Sequence, residues 1–268
     1  MIRSMYSGVS GMKGFQTKLD VIGNNIANVN TVGFKKSSVV FQDMLSQTVS
    51  SVGVNPAQVG LGSSAASIQQ NHNPGSGMMT GVGTDLAIMG EGFFIVEEPA
   101  TDGGAPKRYL TRTGNFVVDD TGTLRTSQGQ YLLNKNQQSI QIDPSEYTSF
   151  AIKDDGQVYG MNKVTGNEEA LPGQVIAIFA PANPAGLRKV GGSLFEMTTA
   201  AGEDGEIKFG NPIEQNISKI QSGMLEMSNV ELTEEFTEMI IAQRGFQANS
   251  KMITTSDEIL QELVNLKR

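Results

Sequence analysis

Residues 232–266 read LTEEFTEMIIAQRGFQANSKMITTSDEILQELVNL. Leu232, Met239, Phe246, Ile253 and Leu260 recur there every seven residues, with Phe236 and Val264 at the intervening positions of the first and last repeats. An apolar residue kept at that period draws a stripe along one side of an α-helix. The stretch would span about 50 Å at ~1.5 Å per residue, beyond the 8–20 residues of an ordinary core helix. Its length therefore predicts an interaction helix. Gln243, Ser250 and Asp257 fill the other intervening positions. Buried polar groups need partners, so the pattern predicts packing among many copies rather than a simple two-stranded coil. Glu234, Glu235 and Glu238 read as the solvated start of the helix, where acidic groups suit its dipole.

Just upstream, Ser228-Asn229-Val230-Glu231 has capping-box spacing, a Ser followed three places later by Glu. Before it, Ile213, Ile217, Ile220, Met224 and Met227 keep alternating steps of four and three and predict an earlier helical segment. The C-terminal helical zone is placed at residues 213–268.

The N-terminal zone, residues 1–30, carries the matching pattern. Met5, Met12, Leu19 and Ile26 recur every seven residues, and Phe15, Ile22 and Val29 recur three places later. Gly8, Gly11, Gly14 and Gly23 interrupt it, each costing roughly 1 kcal/mol relative to Ala in a helix. Such a helix needs a partner along its seam. Asn30-Thr31-Val32-Gly33 reads as its stop.

Residues 31–72 are rich in Ser and Gly without a clear period and predict an extended connecting arm with limited helix. Residues 73–212 predict a β-rich domain, a small sandwich or irregular barrel. Its strand candidates are Phe93-Phe94-Ile95-Val96, Phe116-Val117-Val118, Tyr131-Leu132-Leu133, Ile140-Gln141-Ile142, Phe150-Ala151-Ile152, Val158-Tyr159 and Val175-Ile176-Ala177-Ile178-Phe179. Asp102-Gly103-Gly104, Asp119-Asp120-Thr121-Gly122, Gln128-Gly129, Asp154-Asp155-Gly156 and Thr165-Gly166-Asn167 supply the turns. The fold class expected is α+β: long terminal helices packing as a coiled coil and flanking one mainly-β domain.

Composition narrows the function. Lys+Arg is 20 and Asp+Glu is 28, so 20 − 28 gives −8, which argues against a nucleic-acid partner. The absence of Cys removes disulfides, thiolate nucleophiles and Cys-based metal sites. His72 is the single His, so no metal site can use two imidazoles. No apolar stretch reaches the ~20 residues of a membrane span. The first residues mix Ser and Gly with apolar groups and lack the core of a secretory signal. Gly60-Leu61-Gly62-Ser63-Ser64-Ala65 loosely fits a dinucleotide loop but has no βαβ setting. The Asp-Asp-Gly segments lack the Glu of a calcium loop and read as hairpin turns. His72, between Asn71 and Asn73, reads as a solvated arm residue. No catalytic constellation, cofactor site or metal site is expected. Two apolar-striped ends flanking one module predict a self-assembling subunit, because contacts that do not close on themselves generate helical polymers.

Longer motifs sharpen this. Leu19-Asp20-Val21-Ile22-Gly23-Asn24-Asn25-Ile26-Ala27-Asn28 and then Thr31, Gly33, Phe34 and Lys35 resemble the signature of bacterial flagellar hook and basal-body rod proteins. Leu225-Glu226-Met227-Ser228-Asn229-Val230, Glu238-Met239-Ile240, Ala242-Gln243-Arg244-Gly245-Phe246-Gln247-Ala248-Asn249-Ser250-Lys251 and the ending Leu263-Val264-Asn265-Leu266-Lys267-Arg268 are similar to that family's other end. Gly90-Glu91-Gly92-Phe93-Phe94 and Thr111-Arg112-Thr113-Gly114-Asn115-Phe116 are similar to its shared domain. The resemblance implies a structural subunit, not an enzyme, whose terminal helices line an axial tube. Its partners would be copies of itself, other rod and hook–filament-junction proteins, a hook or rod cap and the type III export apparatus, with no nucleic acid and no membrane insertion. Export would proceed without a cleaved signal peptide, and Phe41 and Leu45 fit the family's short export element. The terminal segments look most like a compact hook subunit; the chain length fits the distal rod, the alternative. An oligomeric, adhesin-like surface module and a hydrolase based on His72 are the readings from other classes.

Overall fold

The computed structural model describes residues 2–50, 57–99, 106–202, 207, 209 and 218–266. The chain is α+β, with a helix at each end and a mainly-β unit between them. It divides into two compact units. One comprises Met1–Val29, Lys36–Asn71 and Val230–Arg268; the other comprises Asn30–Lys35 and His72–Asn229.

The first unit is built on α1 (Ile2–Ala27) and α2 (Leu232–Leu266). α1 ends where the Asn28 side chain donates to the Asn24 carbonyl at 2.8 Å, the local bonding that makes Asn a helix-exit residue. The 31–72 segment differs from the expected arm. β1 (Ser37–Asp43) pairs antiparallel with β4 (Ser63–Gln70), and β2 (Ser46–Ser50) pairs with β3 (Ala57–Gly60). The Ser- and Val-rich segments fold back into ribbons that satisfy one another's backbone groups; among the described residues of the segment there is no helix.

The β unit begins with β5 (Gly77–Met79) and β6 (Leu86–Gly90). Its main sheet takes β7 (Phe93–Glu98), β8 (Lys107–Thr111), β9 (Phe116–Val118), β10 (Leu124–Thr126) and β11 (Tyr131–Leu132). β12 (Tyr147–Ile152), β13 (Gln157–Asn162) and β14 (Glu168–Val175) form a separate meander. β15 (Ile178–Phe179), β16 (Arg188–Gly191) and β17 (Leu194–Glu196) return to the main sheet, whose order is β16-β17-β8-β7-β11-β10-β9 with β15 also on β7. β18 (Ser218–Ser222) then pairs β6, and β19 (Met224–Glu226) pairs β5.

β7 explains the core. Phe93, Phe94, Ile95 and Val96 do not alternate with polar residues because both faces of the strand are buried. Phe94 and Val96 pack with Leu86, Leu124 and Leu132; Phe93 and Ile95 pack with Leu110 and Phe195 on the other side. The Asp119–Gly122, Asp154–Gly156 and Thr165–Asn167 segments turn between paired strands, as expected. Ile140 and Ile142 are buried but belong to no strand; the segment is held by isolated bridges.

The helical segment expected from residue 213 is corrected. Ile220 and Met224 lie on β18 and β19, with Gly223 at φ +77° between them. Gly223 turns the chain between them, and each strand pairs with a different partner, β6 and β5, so tertiary pairing overrides the helical spacing. Ile213, Ile217 and the Asp102-Gly103-Gly104 turn lie outside the described residues.

Candidate assembly surface

Within the first unit, α1 and α2 run antiparallel. Phe15 of α1 lies over Gly245 of α2, Asn249 lies over Gly11, and Ile253 over Gly8. A β-carbon at Gly245 would stand 2.5 Å from Phe15 Cζ, and one at Gly11 would stand 2.9 Å from Asn249 Nδ2. Helix-weakening glycines therefore sit where the partner comes closest. Gly14 likewise admits the Phe41 ring of β1. Nothing in the structure explains Gly23.

The N-terminal seam faces inward. Ile22 is buried, and Met5, Met12, Phe15, Leu19, Ile26 and Val29 are half-buried. The C-terminal seam divides. Met239, Ile253 and Leu260 are half-buried, whereas Leu232, Phe236, Phe246 and Val264 are exposed, Phe236 by 50% and Val264 by 65%. α2 gives its small and polar residues to the buried side: Glu235, Ala242 and Ser256. Leu232, Phe236, Phe246 and Val264 remain on the outside with Ile240, Ile241 and Leu263.

The acidic start of α2 is also corrected. Glu235 is buried, not solvated, and accepts a 3.1 Å hydrogen bond from Asn25 Nδ2. The same Asn25 amide donates to the Ser37 carbonyl at 2.8 Å, and its oxygen accepts the Ser37 N–H at 3.0 Å. One buried side chain thus ties α1, β1 and α2 together. Glu238 pairs with Lys18, and Glu234 with Lys36. Phe41 packs against Phe15 with ring centroids 5.9 Å apart, while Leu45 is 84% exposed.

The β unit holds a separate polar junction. Glu226, at the end of β19, accepts from Lys35 Nζ at 2.6 Å, from Arg112 Nη1 at 2.9 Å and from the Gly75 N–H at 2.9 Å. Lys35 Nζ also donates to the Asn73 carbonyl, and Arg112 Nη2 to the Gly90 carbonyl. Beside them the Gly33 N–H bonds the Glu226 carbonyl at 2.8 Å, with Gly33 at φ +65° pressed on the Arg112 backbone. Burial pulls the Lys35 ammonium below its ordinary value, against the pull of Glu226. Burial pushes the Glu226 carboxyl up, but the Arg112 and Lys35 charges and the bonds from Lys35 and Gly75 outweigh it and hold it below the usual range. His72 corrects its sequence reading too. Its ring stands edge-on to Phe93 and Phe195 at 5.8 and 5.7 Å, and burial followed by the Lys35 and Arg112 charges lowers its pKa to about 4.

Sequence reasoning noted Lys35, Arg112 and Glu226 only as motif letters. For Glu226 the available signal was a lone charge between apolar neighbours, Leu225 and Met227; Lys35, beside Lys36, and Arg112, between Thr111 and Thr113, carried none.

Three family models cover both ends and the middle. Residues 5–35 match the flagella basal body rod protein, 87–160 the flagellar hook protein FlgE/F/G D1 domain, and 221–266 the flagellar basal body rod FlgEFG protein C-terminal. The flagellar basal-body rod protein FlgG of Bacillus subtilis (strain 168) is 51% identical, with 100% of each chain covered. The chain belongs to the flagellar basal-body rod and hook protein family. The FlgG protein of Borreliella burgdorferi is 38% identical, again over 100% of both chains. The flagellar hook protein FlgE of Treponema pallidum is 48% identical over 46% of this chain and 27% of that protein. The subunit is a structural component of the flagellum, and no helix among its described residues is long and apolar enough to cross a membrane.

Proposed function

We propose that this chain is a distal-rod subunit that polymerises through its terminal helices into the shaft of the flagellar basal body. The observation that supports polymerisation is the outer stripe of α2, where Leu232, Phe236, Phe246 and Val264 stay exposed while the inner face is filled by α1. An exposed apolar stripe of that extent marks an interaction surface, and copies of the subunit joined through it in a non-closing arrangement build a tube. In this reading the helices pack as coiled coils in the assembled tube, and the partners are further copies and the neighbouring axial proteins. Phe41 and Leu45 serve export, read from the unfolded chain.

The rod reading displaces the hook reading that the terminal segments suggested, because full-length relatives at 51% and 38% identity carry rod names. The hook remains the second reading on one observation, the 48% identity to a hook protein over part of the chain. Immunogold labelling of isolated hook–basal bodies with antibody to the β unit separates them. Label on the straight shaft, once the envelope rings are stripped, is expected. Label along the curved extracellular tube would make the chain a hook subunit.

A further inference from the structure

Among the described residues β9, at one end of the main sheet, pairs only with β10, and β12, at one end of the meander, pairs only with β13. A cavity of about 310 Å³ adjoins both strands, lined by Val118 of β9 and by Tyr147 and Phe150 of β12 among others. The Asp119 N–H bonds the Thr123 carbonyl at 3.0 Å. Opposed residues of an antiparallel pair alternate between bonded and unbonded, so Val118, opposite Leu124, turns its N–H and C=O away from β10. The Lys153 N–H bonds the Gln157 carbonyl at 3.2 Å, so Phe150, three places back and opposite Gly160, turns its own away from β13. The core is open here as well: Val118, Tyr147 and Phe150 pack only half-buried against the main cluster. The charged side chains at the lining are both acidic. Asp119 pairs with Arg125 at 2.8 Å, and Asp120 is exposed. Open strand edges, half-covered apolar side chains and acidic charge fit an added strand that is extended, apolar and cationic.

We propose that this groove receives β16 of a second copy, which adds to the open edge as a further strand. β16 is the opposite end of the same main sheet, and all four of its residues are exposed. Arg188 is spent on Glu196 of β17. Lys189 Nζ lies 4.1 Å from the Phe34 ring centroid, a contact that leaves its charge uncancelled. Lysine on an edge strand guards against pairing with other edges; opposite Asp120 the same lysine favours it. Val190, 51% exposed, supplies the apolar side chain that covers Val118 and Phe150. An acidic end that meets a basic end is a heterologous contact, which repeats from copy to copy. The contact rests on the polymer reading above and adds to it, because it lies within the β unit and apart from the α2 stripe.

The test uses the full chain, which has no Cys, so single cysteines can be placed at will. Ser149→Cys chains are mixed with Val190→Cys chains under assembly conditions and treated with a short bis-maleimide. Both positions are exposed, so folding is spared. The mixed 149–190 dimer is expected several-fold above the yield from Val164→Cys with Val190→Cys, Val164 being exposed and outside the groove. Adding Asp120→Lys to the first chain, or Lys189→Asp to the second, should lower the yield several-fold, and adding both should restore it. A yield no higher than the Val164 control would overturn the proposal, as would charge exchange that fails to restore it. Cross-linking of Ser149→Cys to a different flagellar protein in its place would overturn the assignment to a second copy. Tubes of unlinked subunits would overturn the groove contact and leave the polymer reading standing. Cross-linked dimers from a chain that never forms tubes would support the contact and count against that reading.

Discussion

Lys35 Nζ and Glu226 Oε1 lie 2.6 Å apart with both side chains closed to water, although 191 residues separate them in sequence. The pair fastens the short 30–35 segment to the last strand of the β unit. Replacing Glu226 by Gln would leave Lys35 and Arg112 buried without their counter-charge. The expected loss is about 3–5 kcal/mol. Urea unfolding followed by tyrosine fluorescence measures it, since Tyr109, Tyr131, Tyr147 and Tyr159 all belong to this unit. A loss below about 1 kcal/mol, typical of exposed ion pairs, would show that the junction is open to water.

Acid should loosen the β unit in two steps. The folded His72 pKa of about 4 lies below its ordinary 6.5, so between those values the unfolded chain binds more protons and stability falls as pH drops. The whole shift would amount to about 3 kcal/mol at 1.36 per unit; partial solvent screening reduces the expectation to roughly 1–2 kcal/mol. Glu226, held low, keeps its contribution through that window and loses it only as pH falls through its depressed folded value. His72→Phe should flatten the first step and leave the second. An unchanged profile between pH 6.5 and 4 would remove His72 as its cause.

In the helical unit, Asn25→Ala should cost about 3 kcal/mol, because it leaves Glu235 and the Ser37 backbone groups buried without partners. Glu235→Gln keeps an acceptor for Asn25 and should cost less than about 1 kcal/mol, as an amide oxygen accepts the same bond. Thermal melts followed by helical circular dichroism rank the two. Equal losses would mean that the charge, not the hydrogen bond, matters.

Two aspartates separate the faces of α2. Phe236→Asp, on the exposed stripe, should leave monomer stability within ~0.5 kcal/mol and block tube formation, because assembly would bury the charge. Ile253→Asp, set against Gly8, should destabilise the helix pair itself by roughly 2–4 kcal/mol. Sedimentation and electron microscopy score assembly, and circular dichroism scores folding. Normal tubes from Phe236→Asp would show that the stripe is not an assembly contact.

Leu45→Ser should change stability by less than ~0.5 kcal/mol, as an exposed substitution, yet lower the amount of subunit secreted. Phe41→Ser is expected to affect both, since Phe41 also packs on Phe15. Secretion of Leu45→Ser at the native level would exclude Leu45 from the export signal.

The helices and the main strands were legible because their side chains obey a period. α2 runs over the residues that the heptad spacing marked, and β7 (Phe93–Glu98) contains the run Phe93–Val96. The division of the α2 stripe was not legible, since it depends on which residues of α1 approach, and Gly8, Gly11 and Gly245 act through the side chains they lack. Glu235 and Glu226 were opaque for a related reason. A carboxylate in a sequence looks solvated until its partners, Asn25 or Lys35 and Arg112, arrive from the far end of the chain.

The helix pair joins Gly8, Gly11 and Phe15 of α1 to Ile253, Asn249 and Gly245 of α2. A chain that emerges from a narrow conduit with its N-terminus leading can build no part of that pair until its final helix is free. Nor can it seal the Glu226 junction until nearly the whole β unit has passed. Contacts of such long sequence separation are slow to form. The topology thus works as a delay line: neither the helix pair nor the junction can close until the C-terminal part of the chain is free.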